Sequence, residues 1–323
     1  MIGLILSIFS SRCFRPRRAF KVIIYLSKFA YRLRGKNLVI DSKRFEAAAW
    51  VAKFTETKSG LHERSIELVV VSTSKDFDIL PDSVNYAQKA LVPYKIDGTR
   101  VIVPNRDILP LRQVETKFDS PIQIIDETTL VSRSQFQKLT DAFGERDTWV
   151  LQQLLKVQAV LKSTSDAVLI LDSDTVLLRP RPWFSNSGKQ ILMPTMEYNP
   201  PYYQFLKKLN ISESVPEFSF ISHHMLMQPK ILIHILESHG LLDIEALITY
   251  ICKNADTDVH SPICIEYELY GQYLYRTNPG GYFLERWSNI SIARRHSRFI
   301  LKSPVARLAL RTFYNSVSFH SWS

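Results

Sequence analysis

Residues 167–180 read A-V-L-I-L-D-S-D-T-V-L-L-R-P. Ala167–Leu171 is an unbroken apolar run of strand length, bounded by polar Ser165 and Asp166, as expected of a strand buried on both faces. It stops at Asp172-Ser173-Asp174. Two carboxylates at i and i+2, at the C-terminal end of a buried strand, sit where open α/β sheets bind ligands. Held this close they repel each other unless a positive group stands between or beside them. A divalent cation with hard oxygen ligands, carrying substrate phosphates in its remaining positions, meets that need. Asp172 and Asp174 are therefore the candidate ligands of a divalent cation, with a diphosphate beyond. The chain turns apolar again at once, so the acids interrupt a buried segment.

Working outward, Ile66–Ser72 reads as a first strand, Thr99–Pro104 and Pro121–Asp126 as two more, each short and apolar. Asp147 or Thr148 can cap a helix running to about Lys162. Val150, Leu154, Val157 and Leu161 form its core stripe, while Trp149, Gln153 and Lys156 share another face. Strands alternating with helices predict a mainly parallel sheet flanked by helices. Beyond the acids, Gln190–Pro194 reads as a strand and Pro201–Lys208 as a short helix. Phe218–Met227 is an apolar run leading through Pro229 into a helix that ends near Gly240, and Asp243–Cys252 is helical again. Ser261–Gly271 reads as a further helix with Pro262 in its first turn. Basic amphipathic pieces follow around Ile292–Leu301 and Val305–Phe313.

With 46% hydrophobic residues in 323, the chain can bury a substantial core. Cys13, Cys252 and Cys264 are odd in number and lack metal-ligand spacing, which points to a reducing, cytoplasmic setting without a disulfide framework. The net charge of +10 sits at the ends: residues 1–36 carry nine Lys/Arg and no acid, and residues 286–323 carry seven and no acid. Between them lie 25 basic and 31 acidic side chains, so nucleic acid is not an expected partner. Met1–Phe9 precedes its arginines, the reverse of a secretory signal, and no stretch reaches a membrane span. Residues 1–60 are expected to form a basic amphipathic segment and linker, peripheral on the inner face of an anionic membrane. Residues 61–323 are expected to form the catalytic domain.

The stretch L-I-L-D-S-D-T-V-L-L resembles the D-x-D element of glycosyltransferases with the GT-A fold, where it holds a divalent metal and the nucleotide-sugar diphosphate. Together with W-V-L-Q-Q-L-L-K, S-F-I-S-H-H-M-L-M, I-E-Y-E-L-Y-G and V-S-F-H-S, it is similar in order to a bacterial glycosyltransferase-like family of uncharacterised proteins, over roughly residues 65–322. The resemblance implies a GT-A-like (Rossmann-like) α/β fold. It also implies metal-dependent transfer of a sugar from a nucleotide-sugar to a hydroxyl of a glycan or lipid-linked acceptor. Distant glycogenin-like relatives carry an arginine one helix before the acids. Lys156 occupies about that place, and with Gln153 and Asp172 is expected at the donor, although Lys lacks the planar fork of Arg.

Other candidates follow from the residues themselves. His223 and His224 are adjacent, so on a strand they face opposite sides; His224 is the candidate catalytic residue. Glu266 and Glu268 are alternatives for an acceptor-binding group or general base. In an extended V-S-F-H-S segment, Val317 and Phe319 share one face while Ser318 and His320 share the other. An imidazole suits manganese as a third ligand, and glycogenin-like enzymes also return to the metal with a late histidine. His320 is therefore expected within coordination distance of the acid pair.

Two other classes remain open at this point. D-S-D-T-V also fits haloacid-dehalogenase-type phosphatases, with Asp172 as nucleophile. That fold needs a later apolar strand ending in an acidic pair, for which L-I-T-Y-I-C with Asp256 and Asp258 is the nearest stretch. A membrane-surface binding protein working through its basic ends would depend little on Asp172 and Asp174.

Overall fold

The computed structural model describes residues 64–92, 94–212 and 216–321. The basic segment 1–60 with Cys13, and Trp322, lie outside the described residues. Strand β1 (Ser65–Val71) is buried almost throughout and forms the middle of a five-stranded sheet in the order β3-β2-β1-β4-β7. Its neighbours β2 (Lys95–Val103) and β4 (Ala167–Asp172) run parallel to it, as does β3 (Gln123–Asp126) to β2. β7 (His224–Met227) closes the sheet antiparallel to β4. The result is a mixed α/β fold with a mainly parallel central sheet flanked by helices, as the alternation of elements predicts.

Register makes this sheet a platform. Val71 pairs with both Ile102 and Asp172, so β1, β2 and β4 end along one edge. Leu171 pairs with His224 in the antiparallel sense, so the chain enters β7 at that same edge. Helix α1 (Leu80–Ala90) follows β1, α2 (Ile108–Val114) follows β2, and α3 (Arg133–Phe143) begins with a full capping box built by Ser132 and Gln135. Helix α4 (Asp147–Leu161) carries the expected stripe Val150, Leu154 and Val157 into the core. Asp147 is not its cap: the helix starts at Asp147, whose carboxylate accepts a hydrogen bond from the Thr140 hydroxyl at 2.7 Å.

The later half departs further from the sequence reading. α5 (Pro200–Lys208), α6 (Pro229–Ser238) and α7 (Ile244–Asn254) match expectation, with Asp243 capping α7 through the Ala246 N–H. Helix α8, however, begins only at Tyr267 and runs to Thr277. The segment before it is held by α4, since the Ile265 N–H donates to Gln153 Oε1 at 3.0 Å. Gly271 on α8 permits the close approach of the Phe220 segment, because a Cβ there would lie 2.4 Å from the Phe220 ring.

The piece around Ile292–Leu301 is not one helix. It splits into β9 (Asn289–Ala293), a single turn at Arg294–His296, and α9 (Ser297–Lys302). Pairing explains the split: β10 (Ser316–His320) takes β5 (Thr175–Leu177) on one edge and β9 on the other, so β9 is recruited into a sheet. Helix α10 (Pro304–Phe313) connects α9 towards β10, and β6 (Gln190–Leu192) pairs with β8 (Tyr282–Leu284). No helix among the described residues is long and apolar enough to cross a membrane.

Candidate active site

Asp172 is the last residue of β4 and the point on which the site converges. Its Oδ1 accepts hydrogen bonds from Lys156 Nζ and from the Tyr267 hydroxyl, both at 2.6 Å. Its Oδ2 lies 3.1 Å from His223 Nδ1. Burial alone would push this carboxyl up, but the Lys156 ammonium and His223 outweigh it and hold Asp172 well below the ordinary carboxylate range. Lys156, on the sheet-facing side of α4, is almost fully buried. Burial disfavours its charge; Asp172 and Glu266 more than compensate and hold it protonated.

His223 sits just before β7 with a positive φ of 61°, a conformation His tolerates better than most residues but at some cost. Its imidazole bridges Asp172 and Glu197, whose Oε2 is 3.4 Å from Nε2. Against the effect of burial, those two carboxylates raise it to about 10, so His223 is an imidazolium at neutral pH. The strained backbone is offset by the ion pairs to Asp172 and Glu197.

Glu266 faces the other side of Lys156, 3.0 Å from Nζ. Burial pushes its carboxyl up to about 7 despite the lysine, with Asp172 adding to the rise. A carboxyl raised in the folded state contributes stability that is present below its unfolded pKa and is lost as pH rises through the folded one. The window here runs from about 4.5 to about 7. Across it, the stability of wild type minus that of Glu266→Gln should fall by on the order of 2 kcal/mol. Urea unfolding of both proteins at either end of the window measures this, and two parallel profiles would contradict it.

The second carboxylate belongs to a different network. His320 Nδ1 lies 3.0 Å from Asp174 Oδ2, across 146 positions of sequence. β10 delivers it: Ser318 pairs with Thr175, and the Phe319 N–H donates to the Asp174 carbonyl at 2.8 Å. Val317 and Phe319 are fully buried. Arg294 ties this corner to the turn Ser74–Asp76 that follows β1, meeting Asp76 Oδ1 at 2.6 Å and donating to the Lys75 carbonyl at 2.6 Å and the Phe319 carbonyl at 3.0 Å. Ser173, between the two acids, donates to Asp76 Oδ2 at 2.6 Å. Arg294 carries no mark in the sequence, and His223 is told from its neighbour His224 only by the fold. Nothing in the Arg294-Arg295 pair signals that the first will reach the turn after β1, whereas Tyr267 lies within the I-E-Y-E stretch.

The donors present can be tested against a divalent cation. No group of three His, Cys, Asp or Glu converges as a preformed metal cluster among the described residues. Asp174 and His320 nevertheless form a carboxylate–imidazole pair. A lone pair of Nδ1 facing a carboxylate oxygen at this distance needs a proton or a cation between them. Asp172 Oδ2 takes one hydrogen bond and keeps a lone pair. A cation held by one or two carboxylates and completed by substrate phosphates needs no more from the chain, so the residues fit.

Three expected site residues are placed elsewhere. Gln153 spends both ends of its amide on the backbone of Ile263 and Ile265, so it fixes the segment carrying Glu266 and does not face a donor. His224 lies in the core between Trp183 and Trp287, with Nδ1 2.8 Å from the Ser222 carbonyl and Nε2 3.2 Å from Met193 Sδ. Burial lowers it to about 3, so it is neutral; His223, its neighbour, reaches Asp172 instead. Glu268 is fully buried, its carboxylate accepting from the Tyr203 and Ser219 hydroxyls, the Phe220 N–H and Gln272 Nε2. It pins α5 and the 219–220 loop to α8. Glu268→Ala should therefore cost about 2–4 kcal/mol in urea unfolding, because several buried donors lose their acceptor. A loss below 1 kcal/mol would contradict this. The stretch needed by the phosphatase reading, L-I-T-Y-I-C, is helical in α7, so Asp256 and Asp258 follow a helix and not a strand.

Residues 70–195 match the model of a family of unknown function (DUF6492). No curated protein sequence matches the chain. Among solved structures, mouse xyloside xylosyltransferase 1 in its apo form is similar at 10% identity, covering 80% of this chain and 98% of that one, with a TM-score of 0.44. The galactosyltransferase LgtC in complex with donor and acceptor sugar analogues is similar at 12% identity, covering 78% and 86%, with a TM-score of 0.41. An active-site mutant of LgtC gives 13% identity over the same shares and a TM-score of 0.43. The family match spans Lys156 and the acid pair but ends before Glu266 and His320, so what the chain is similar to in sequence is a family of unknown function over the first part of the sheet and β4.

Proposed function

We propose that the protein is a GT-A-like glycosyltransferase that moves a sugar from a nucleotide-sugar to an acceptor hydroxyl, using a divalent cation. The observation that carries this reading is the meeting of Asp174 and His320 beside Asp172 at the C-terminal edge of a parallel sheet. Asp174 and His320, with the remaining lone pair of Asp172, would hold manganese or magnesium. That cation, when bound, would neutralise the departing diphosphate.

The chain's own residues supply the rest. Lys156 fixes Asp172 in one orientation and keeps a buried positive charge beside the place where diphosphate charge would develop. His223, an imidazolium, adds a second. Glu266 has a carboxyl poised near neutrality by burial, as suits a group that holds or accepts a proton from an acceptor hydroxyl. These charges are in place in the folded protein, so no reorganisation is needed when substrate arrives.

Screening a nucleotide-sugar panel with manganese by thermal shift tests the reading, because a ligand that binds the folded state raises its apparent stability. One donor should raise the transition in a metal-dependent way and, without acceptor, be slowly hydrolysed to the nucleoside diphosphate. Release of inorganic phosphate from simple esters, with no response to any nucleotide-sugar, would refute it.

A further inference from the structure

Helix α10 carries its apolar side outward. At 100° per residue, Leu308, Val305 and Phe313 fall on one continuous arc of its surface. All three face solvent, exposed by 66%, 52% and 60%. Only Leu310 is buried along this helix, and Arg307 turns inward to donate to the Tyr86 hydroxyl at 2.7 Å. Arg311 lies about 60° beyond Leu308 on the same helix, and Arg298 and Lys302 on the preceding α9 are likewise exposed, in a stretch, 286–323, with seven Lys/Arg and no acid. Lys302 lies in the field of Asp82 on α1.

An apolar arc with a cationic rim selects its occupant. A second copy meeting it through a two-fold axis would set the same cations against themselves, since an isologous contact pairs a patch with its own image. An anionic bilayer satisfies both halves at once: acyl chains for the arc, lipid phosphates for the rim. We propose that α9 and α10 lie on an anionic membrane surface, with Val305, Leu308 and Phe313 at the headgroup–acyl boundary and Arg298, Lys302 and Arg311 on lipid phosphates. These two helices are the connection between β9 and β10, and β10 ends in His320. Docking would therefore bring the membrane to the chain segment that completes the candidate site. The proposal stands on surface geometry and does not depend on the reaction proposed above.

Co-sedimentation of the full chain with vesicles decides it. Binding is expected to phosphatidylglycerol vesicles and not to phosphatidylcholine, weakening as salt is raised. Arg298→Gln combined with Arg311→Gln should lower the partition coefficient about 25-fold, since each charge near such a surface contributes about fivefold. Leu308→Ser with Phe313→Ser should lower it comparably and leave the thermal transition unchanged. Residues 1–36 are also basic, so the variants are the deciding comparison. No binding by the wild type, or full binding by both variants, would overturn the proposal. So would a wild-type dimer that Leu308→Ser converts to monomer, which would identify a second copy as the occupant.

Discussion

Asp174→Ala is expected to lower sugar transfer by about a thousandfold, because a cation stabilising the leaving diphosphate contributes several kcal/mol at roughly 1.4 kcal/mol per tenfold. The fold should survive. Asp174 is partly exposed, and its partners His320 and Arg294 keep other contacts, to Ser291 Oγ and to Asp76 respectively. The loss in unfolding free energy should stay near about 1 kcal/mol. His320→Ala should weaken manganese binding, read as a rise in the metal concentration giving half-maximal rate. Unchanged turnover of Asp174→Ala, or of the wild type in chelator, would remove the cation from the reaction.

Lys156→Met is expected to have the largest effect on stability. Lys156 holds two buried carboxylates, Asp172 at 2.6 Å and Glu266 at 3.0 Å, with the Tyr267 hydroxyl at 3.2 Å. Replacing it with an apolar side chain of similar length leaves both acids without their shared cation. Breaking a buried pair by removing one partner costs about 3–5 kcal/mol, mostly the desolvation of the charge left behind. Glu266 can relieve part of this by taking up a proton, so Lys156→Met combined with Glu266→Gln should lose less than the two single losses added together. A double-mutant cycle in urea measures the difference. Additive losses, or a Lys156→Met protein as stable as wild type, would show that the three groups are not one unit.

The two networks divide the labour of the edge they share. Asp172 belongs to a buried, positively compensated cluster reached from α4, α8 and the turn before β7. Asp174 belongs to a corner closed by β10 and Arg294. Ser173 between them is tied to Asp76. The two networks touch where the His223 and His320 rings meet, 5.9 Å between centroids, but the predicted phenotypes differ by partner: rate for Asp174, stability for Lys156.

The sequence by itself determined the elements whose pattern is local. The runs at Ile66–Ser72, Thr99–Pro104 and Ala167–Leu171 have the length and β-branching of buried strands, and the period of Val150, Leu154 and Val157 is that of a helix packed on them. The acids ended β4 because charge cannot continue into the core. The alternation of V-S-F-H-S carried the placement of His320 near Asp174, since burying Val317 and Phe319 leaves one direction for the imidazole. What required the tertiary structure was every choice between neighbours. His223 reaches Asp172 and His224 does not, because a positive φ before β7 turns one ring towards the edge while the strand carries the next into the core. Glu266 and Glu268 differ because α8 starts one residue after Glu266, leaving it beside Lys156 and giving Glu268 to Tyr203 and Ser219. Gln153 shares a helix face with Lys156 yet is consumed by a backbone segment 110 residues away. Arg294 reaches the turn after β1 because β10 draws β9 into a sheet. Hydrogen-bond partners distant in sequence are set by the closing of the chain, and the residue types alone do not encode which of two adjacent candidates will find them.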